Sequence, residues 1–80
     1  MASAHIPWDS PATLTNWGPA QPQRRSVEGA VRTWLKFPVH DQGLAEMLTD
    51  IAFSVEPGGE QKSIFDASDL AKLSELLPDR

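Results

Sequence analysis

The chain has 80 residues, among them 7 basic, 11 acidic and no cysteine side chains, and a formal net charge of −4 at pH 7. A chain of this length forms one domain at most and buries only about 60–65% of the surface that its unfolded form exposes, so its core must be small. The lack of cysteine excludes disulfides and thiolate-bound metals as additional sources of stability.

Acidic residues are concentrated in the second half of the chain. Residues 1–40 carry four basic and two acidic side chains, whereas residues 41–80 carry three basic and nine acidic ones. Charge of this size serves solubility or the attraction of a basic partner, and it does not favour binding to nucleic acid. No apolar run approaches the ~20 residues of a membrane span, so we expect one cytoplasmic domain over residues 1–80 without a membrane segment.

The first part of the chain contains too many prolines for a helix, at positions 7, 11, 19 and 22. Residues 12–17 alternate in the manner of a short strand, and residues 23–25 can form a returning strand after a loop. We therefore predict a short β-hairpin or an extended arm in this region, in which residues 1–12 need not be ordered.

The most strongly periodic stretch is the segment 26–37. Its apolar residues follow the spacing of one helical face: Val27, Ala30, Val31, Trp34 and Leu35. Ser26 has the side chain of an N-cap, and Pro38 disfavours helical geometry at the residue before it. We expect this helix to be the centre of the core, with the Trp34 indole as the group around which the later helices pack.

A second helix is predicted over 41–55, with Asp41 as its N-cap. Its apolar stripe consists of Leu44, Leu48, Ile51 and Val55, and it is widened by Ala45, Met47 and Ala52. Phe53 lies off this stripe, where it either fills a gap against Phe65 or forms an exposed anchor for a partner. The Pro-Gly-Gly sequence at 57–59 ends the helix, and a loop follows to residue 63.

The third predicted helix, over 66–77, has the clearest start in the chain. Asp66 and Asp69 have the spacing of a capping box, and Phe65 can pack on Leu70 as a hydrophobic staple. The buried stripe is predicted to consist of Leu70, Leu73, Leu76 and Leu77, with Pro78 as the stop. The predicted fold class is therefore α+β, with a short N-terminal β-hairpin or extended arm followed by three amphipathic α-helices.

No constellation of residues in the sequence requires catalysis, a metal or a cofactor. Residues 58–63 resemble a phosphate-binding loop but lack the glycine directly before Lys62. The two histidines have no spacing typical of a metal site, and His40 beside Asp41 is not by itself a catalytic pair. Pairs of carboxylates three or four residues apart are explained by a helix cap and by an outer helix face. We therefore predict no catalytic, metal or cofactor residue and no small-molecule ligand.

The large side chains without an assigned role favour a binding function. Trp8, Trp17 and Phe53 are candidates for an exposed aromatic surface, although tryptophans in a small domain more often cover its core. Glu46 and Asp50, on the outer face of the predicted second helix, are candidate contacts for a basic partner. The predicted function is a small, non-catalytic accessory protein that binds another protein or a second copy of itself, so a homodimer is one expected state.

Two alternatives involve nucleic acid. The helices 26–37 and 41–55 can be interpreted as a helix-turn-helix of a nucleic-acid-associated regulator, in which four basic side chains contact phosphate: Arg24, Arg25, Arg32 and Lys36. The second helix would then carry acidic side chains and no Lys or Arg, which is the reverse of what phosphate contact needs. The other alternative is an acidic decoy that inhibits a nucleic-acid-binding protein by occupying its basic groove.

Four segments together resemble a known family, namely residues 8–14, 27–31, 35–43 and 63–67. In order and spacing they are similar to the domain of unknown function 982 family, which comprises short proteins of rhizobia and related alphaproteobacteria. The shared features are a strand opening, a helix that ends before a proline, a nearby glycine and a late helix start. The resemblance implies a soluble bacterial protein with strands before helices, and it implies no activity or functional residue.

Overall fold

The computed structural model describes residues 6–15, 21–56 and 58–78. Within these ranges the chain is an α+β fold with one four-stranded sheet and three short helices. None of the described helices is long and apolar enough to cross a membrane. In chain order the elements are β1 (Pro11–Thr15), β2 (Gln23–Ser26), α1 (Val27–Leu35), α2 (Val39–Leu44), β3 (Glu46–Phe53), β4 (Lys62–Phe65) and α3 (Ala67–Glu75).

The sheet is antiparallel throughout, and its strand order is β2-β1-β3-β4. β1 and β3 are therefore central, and β2 and β4 are the edges among the described strands. Thr13 lies opposite Arg24 on β2 and opposite Leu48 on β3. Leu48 in turn lies opposite Ile64 on β4, and the pairing of β3 with β4 is irregular between Leu48 and Phe53.

The start of α1 confirms the predicted N-cap. The hydroxyl of Ser26 accepts a hydrogen bond from the N–H of Gly29 at 3.0 Å. The helix ends at Leu35, earlier than the predicted residue 37, and the Leu35 side chain is exposed rather than buried. The buried face consists of Val27, Ala30, Val31 and Trp34.

The segment before β1 packs against the beginning of α1. The N–H groups of Val27 and Glu28 donate to the carbonyl oxygens of Ser10 and Trp8, at 2.9 and 3.0 Å. These donors have no acceptor within the helix, so the preceding segment satisfies them. Ile6 is buried in the core, and Trp8 is partly buried against it.

α3 also begins where the sequence predicts. The Asp66 carboxylate accepts from the N–H of Asp69 at 3.0 Å, and the Asp69 carboxylate accepts from the N–H of Asp66, which completes the capping box. Leu70 and Leu73 are fully buried, as expected. The helix ends at Glu75, and Leu76 is 48% exposed because it lies beyond the last helical turn.

The core lies between α1, α3 and one face of the sheet. Its largest fully buried side chains are Phe65, Leu14, Met47, Leu70, Leu73, Val27 and Val31. Trp34 belongs to the same cluster with 6% of its surface exposed, which confirms its predicted place in the core. The packing around the indole comes from a sheet as well as from helices, and this is the main departure from the expected architecture.

The predicted helix over 41–55 is wrong. Only Val39–Leu44 is helical, with Pro38 rather than Asp41 at the N-cap, and the following segment Glu46–Phe53 is strand β3. The apolar residues of this segment fit both the period of a helix and the alternation of a strand. The buried residues follow the strand alternation: Ala45, Met47, Phe53 and Val55. β1 and β4 provide hydrogen-bond partners on both sides of this segment, and that pairing decides between the two periods.

The predicted fold class is therefore wrong in its architecture, although the α+β composition holds. The N-terminal hairpin does not stand apart from three helices, because β3 and β4 extend it into a four-stranded sheet. Lys62 and Ser63, which were assigned to a loop, begin β4. The helix-turn-helix interpretation fails for the same reason, since its second helix is mainly a central strand.

Candidate functional site

The two faces of the sheet have different surroundings. α1 and α3 pack on the face that carries the buried residues Ala12, Leu14, Met47 and Phe65. Because successive side chains of a strand point to opposite faces, their neighbours point away from the helices. One row of these neighbours crosses all four strands and is called the outer row here: Arg24, Thr13, Leu48 and Ile64.

The apolar half of the outer row is the pair Leu48 and Ile64. The two side chains lie directly opposite each other on β3 and β4. Leu48 is half-buried, and Ile64 is 55% exposed although it is a large aliphatic residue. Ile51, on the irregular part of β3, is exposed to a similar degree. Aliphatic surface of this kind is typical of a site that a partner covers.

The polar half of the outer row consists of Arg24 and Thr13. Arg24 reaches across β1 and forms an ion pair with Asp50 on β3. The Arg24 guanidinium bonds both carboxylate oxygens of Asp50, at 2.8 and 3.4 Å, and it also reaches the Thr13 hydroxyl at 3.4 Å. The pair is solvent-exposed, so its net contribution to stability is only about 0–1 kcal/mol. Its position gives the outer face a charged rim beside the aliphatic pair.

The predicted partner-binding residues that the structure describes do not form one site. Glu46 and Asp50 lie on β3 with Leu48 between them, and the alternation of the strand directs all three to the outer face. Phe53 is only 5% exposed, and its ring stacks on Phe65 with 4.6 Å between the centroids. Phe53 therefore packs against Phe65 in the core, which is the first of its two predicted roles, and it is not an exposed anchor for a partner.

The two tryptophans do not add to the outer face in the described part of the chain. Trp8 is half-buried and packs against the core cluster. Trp17 lies outside the described residues. Trp8 and Phe53, the two described members of the candidate aromatic surface, therefore do not form an exposed platform.

A separate polar cleft of 180 Å³ lies between the end of β3, the loop after it, β4 and α3. It is lined by Ser54, Val55, Glu56, Gly59, Glu60, Lys62, Asp69 and Lys72. Gly59 allows the loop to fold tightly here, because a Cβ at this position would lie 2.7 Å from the Ser54 hydroxyl oxygen. Two ion pairs cross the cleft, Lys62 with Asp69 at 2.6 Å and Lys72 with Glu56 at 2.9 Å.

These ion pairs shift the pKa values of Lys62, Lys72 and Glu56. The hydrogen bond to Asp69 raises the pKa of Lys62, and the hydrogen bond to Glu56 raises the pKa of Lys72. The hydrogen bond from Lys72 lowers the pKa of Glu56. At neutral pH both lysines are therefore protonated and Glu56 is ionised, whereas a nucleophilic lysine or a carboxylic acid that donates a proton needs the opposite shift.

The cleft offers little to a metal. Among the residues that the structure describes, no group of three or more His, Asp or Glu side chains is placed to hold an ion. His40 is exposed on α2, away from the cleft. The cleft is best described as a set of surface ion pairs that tie the loop after β3 to α3.

Comparison with known proteins gives no relative for this arrangement. No protein-family model, no curated protein and no solved structure matches the chain. The resemblance to the domain of unknown function 982 family stays a prediction. The outer face is the candidate site on its own geometry.

Sequence reasoning missed Leu48 and Ile64 as a pair. Leu48 was assigned to the buried stripe of a helix, and Ile64 was placed between a loop and a helix cap. A signal was present, because Thr49, Ile51 and Val55 are β-branched and Phe53 is aromatic, and these residue types favour strands. A strand assignment would have directed Leu48 away from Met47 and towards an outer face.

Proposed function

We propose that this chain is a non-catalytic accessory protein of the cytoplasm that binds another protein through the outer face of its sheet. The observation that carries the proposal is the exposed Ile64 opposite Leu48, on the face that α1 and α3 do not contact. Burial of that aliphatic pair by a partner supplies a favourable free energy that the isolated chain leaves unused.

The chemistry around the pair supports a protein partner. A protein–protein interface has an apolar centre and a polar rim, and here Arg24 and Asp50 provide charges of both signs beside Leu48. A partner with an aliphatic strip and polar groups at its margin matches this surface. The cysteine-free sequence supports a reducing compartment.

The same face gives little support to nucleic acid as the ligand. Single strands are bound by aromatic platforms and free basic groups. The outer row contains no aromatic residue, and its one arginine is already paired with Asp50. The acidic-decoy alternative is also weakened, because Asp50 and Glu56 each bond a basic side chain of the same chain.

The proposal is tested by removing the aliphatic pair without disturbing the strands. In the double variant Leu48→Thr with Ile64→Thr, both positions keep a side chain that suits a strand but lose most of their apolar surface. The matched control is Val39→Thr with Leu44→Thr, two exposed aliphatic residues on α2, away from the sheet. The tagged chains are used to capture proteins from a lysate of the source cells, and the captured proteins are compared by quantitative mass spectrometry.

We expect a defined protein to be captured by the wild type and the control, and captured at least about tenfold less by the outer-face variant, which corresponds to about 1.4 kcal/mol of binding free energy. Circular dichroism should show that both variants are folded. Equal capture by all three chains, or loss only in the α2 variant, would place the binding surface elsewhere and refute the proposal.

A further inference from the structure

The two edges of the sheet are protected to different degrees. β2 follows Pro22 and carries Arg24 and Arg25, and proline and charge are features that discourage the addition of another strand. β4 has one charged residue, Lys62, whose ammonium group is held by Asp69 on α3. Ser63 and Ile64, in the middle of β4, are exposed.

The backbone of β4 presents hydrogen-bonding groups on its outer side. The Thr49 hydroxyl donates its proton to the Ile51 carbonyl oxygen at 2.8 Å, and the same hydroxyl oxygen lies 3.5 Å from the Ser63 carbonyl oxygen, so this carbonyl faces β3. Because consecutive peptide groups of a strand point to alternate sides, the N–H and C=O of Ile64 face the outer edge. Among the described strands, β4 pairs only with β3, and the outer groups of Ile64 have no strand partner.

The charges at the two ends of β4 complement those of a second copy only when the two strands are antiparallel. Residues 62–66 read Lys-Ser-Ile-Phe-Asp, with a positive charge at one end, a negative charge at the other and a β-branched residue at the centre. An antiparallel copy centred on Ile64 places each Lys62, which keeps its bond to Asp69 of the same chain, opposite the Asp66 of the other copy, so that the ammonium group lies between two carboxylates. A parallel copy would instead set like charges side by side, which is unfavourable.

We propose that two copies of this chain associate through β4, in antiparallel register about Ile64, to form a continuous eight-stranded sheet. The two-fold axis is perpendicular to the sheet, so the helices of both copies lie on one face and both outer rows lie on the other. The aliphatic pairs of the two copies then adjoin across the axis and double the apolar centre of the outer face. This inference goes beyond the proposed binding function and does not depend on it.

The test is the mass of the full chain in solution as a function of concentration, measured by sedimentation equilibrium from about 10 µM to about 1 mM, because a short strand interface belongs to the weak class. The wild type should approach the mass of two chains. In Ile64→Lys two ammonium groups oppose each other at the axis, and this variant should remain monomeric. Its matched control is Ile51→Lys, which makes the same change at an exposed residue of β3 and should dimerise like the wild type.

A second variant tests the charge pairing. Asp66→Asn keeps an acceptor for the helix cap but removes the negative charge, and its dimer should dissociate about 2- to 10-fold more readily, because two exposed ion pairs are lost by symmetry. Leu48→Thr leaves the edge of β4 intact and should still dimerise even if it no longer binds a partner protein. A wild type that remains monomeric up to about 1 mM would overturn the proposal. A dimer that survives Ile64→Lys, or one that is lost only in Leu48→Thr, would also overturn it.

Discussion

Trp34 and Gln42 are joined by hydrogen bonds in both directions. The indole N–H of Trp34 donates to the carbonyl oxygen of Gln42 at 3.0 Å, and the side-chain amide of Gln42 donates to the carbonyl oxygen of Trp34 at 3.2 Å. α2 buries none of its own residues, so this exchange is what attaches it to the end of α1. The same tryptophan thus fills the core and holds a helix that has no core face.

The first prediction concerns that attachment. Trp34→Phe removes the indole donor and part of the buried ring, and we expect it to lower the free energy of unfolding by about 1–3 kcal/mol. Gln42→Ala keeps the backbone acceptor and removes only the side-chain amide bonds to the carbonyl oxygens of Trp34 and Leu35, so it should cost less than about 1 kcal/mol. Urea unfolding measures both, and amide exchange in α2 should accelerate in each variant. Equal costs for the two variants would contradict the account.

The second prediction concerns the stacked rings of Phe53 and Phe65. Their centroids lie 4.6 Å apart with 25° between the ring planes. A double-mutant cycle with Phe53→Leu and Phe65→Leu should give a coupling energy of about 0.5–1.5 kcal/mol, since each single change removes the aromatic contact. The free energies come from denaturant titrations of the four chains. Strict additivity would show that the two rings do not interact in solution.

The third prediction concerns the capping box of α3. Asp66→Ala removes the acceptor for the Asp69 N–H and should destabilise the chain by about 1 kcal/mol. Asp66→Asn should cost much less, because the amide oxygen can cap in the same way. Ser68→Ala, at an exposed position of the same first turn, should stay within about 0.5 kcal/mol of the wild type. A cost for Ser68→Ala as large as that for Asp66→Ala would refute the capping role.

The fourth prediction concerns the pH dependence of stability through Glu56 and Lys72. Glu56 has a lowered pKa in the folded chain, so it stabilises the fold above its unfolded pKa, and this contribution is lost as the pH falls through the lowered value. The pKa of Lys72 is raised, so its contribution is complete below the unfolded pKa and is lost as the pH rises through the raised value. The stability contributed by Glu56 is thus lost at acid pH, and the stability contributed by Lys72 is lost at strongly alkaline pH.

Carboxyl-carbon NMR titration measures the first of these shifts directly. In the wild type, the pKa of Glu56 should lie below the ordinary value for a glutamate, which is about 4.3. In Lys72→Gln its pKa should return towards that range, because the hydrogen bond and the charge are both removed. Both groups are exposed, so the change in overall stability should be small. An unchanged Glu56 titration in Lys72→Gln would show that the ion pair does not persist in solution.

The sequence by itself determined the elements that begin with a local signal. Ser26 and Asp66 accept hydrogen bonds from N–H groups three residues later, so these side chains define the starts of α1 and α3 without help from the rest of the chain. The buried faces that follow have a helical period and no competing alternation. The place of Trp34 in the core followed from that period.

Only the tertiary structure decided the segment 46–55 and, with it, the candidate site. Leu44, Leu48 and Ile51 satisfy a helical stripe, whereas Met47 and Phe53 satisfy a strand, and the strand preference of the β-branched residues is too small to decide between the two. The hydrogen bonds of β3 go to β1, more than thirty residues earlier, and to β4 after a long loop. Strand pairing of this kind depends on distant partners, so the sequence near Leu48 could not reveal that its side chain lies beside Ile64 on an open face.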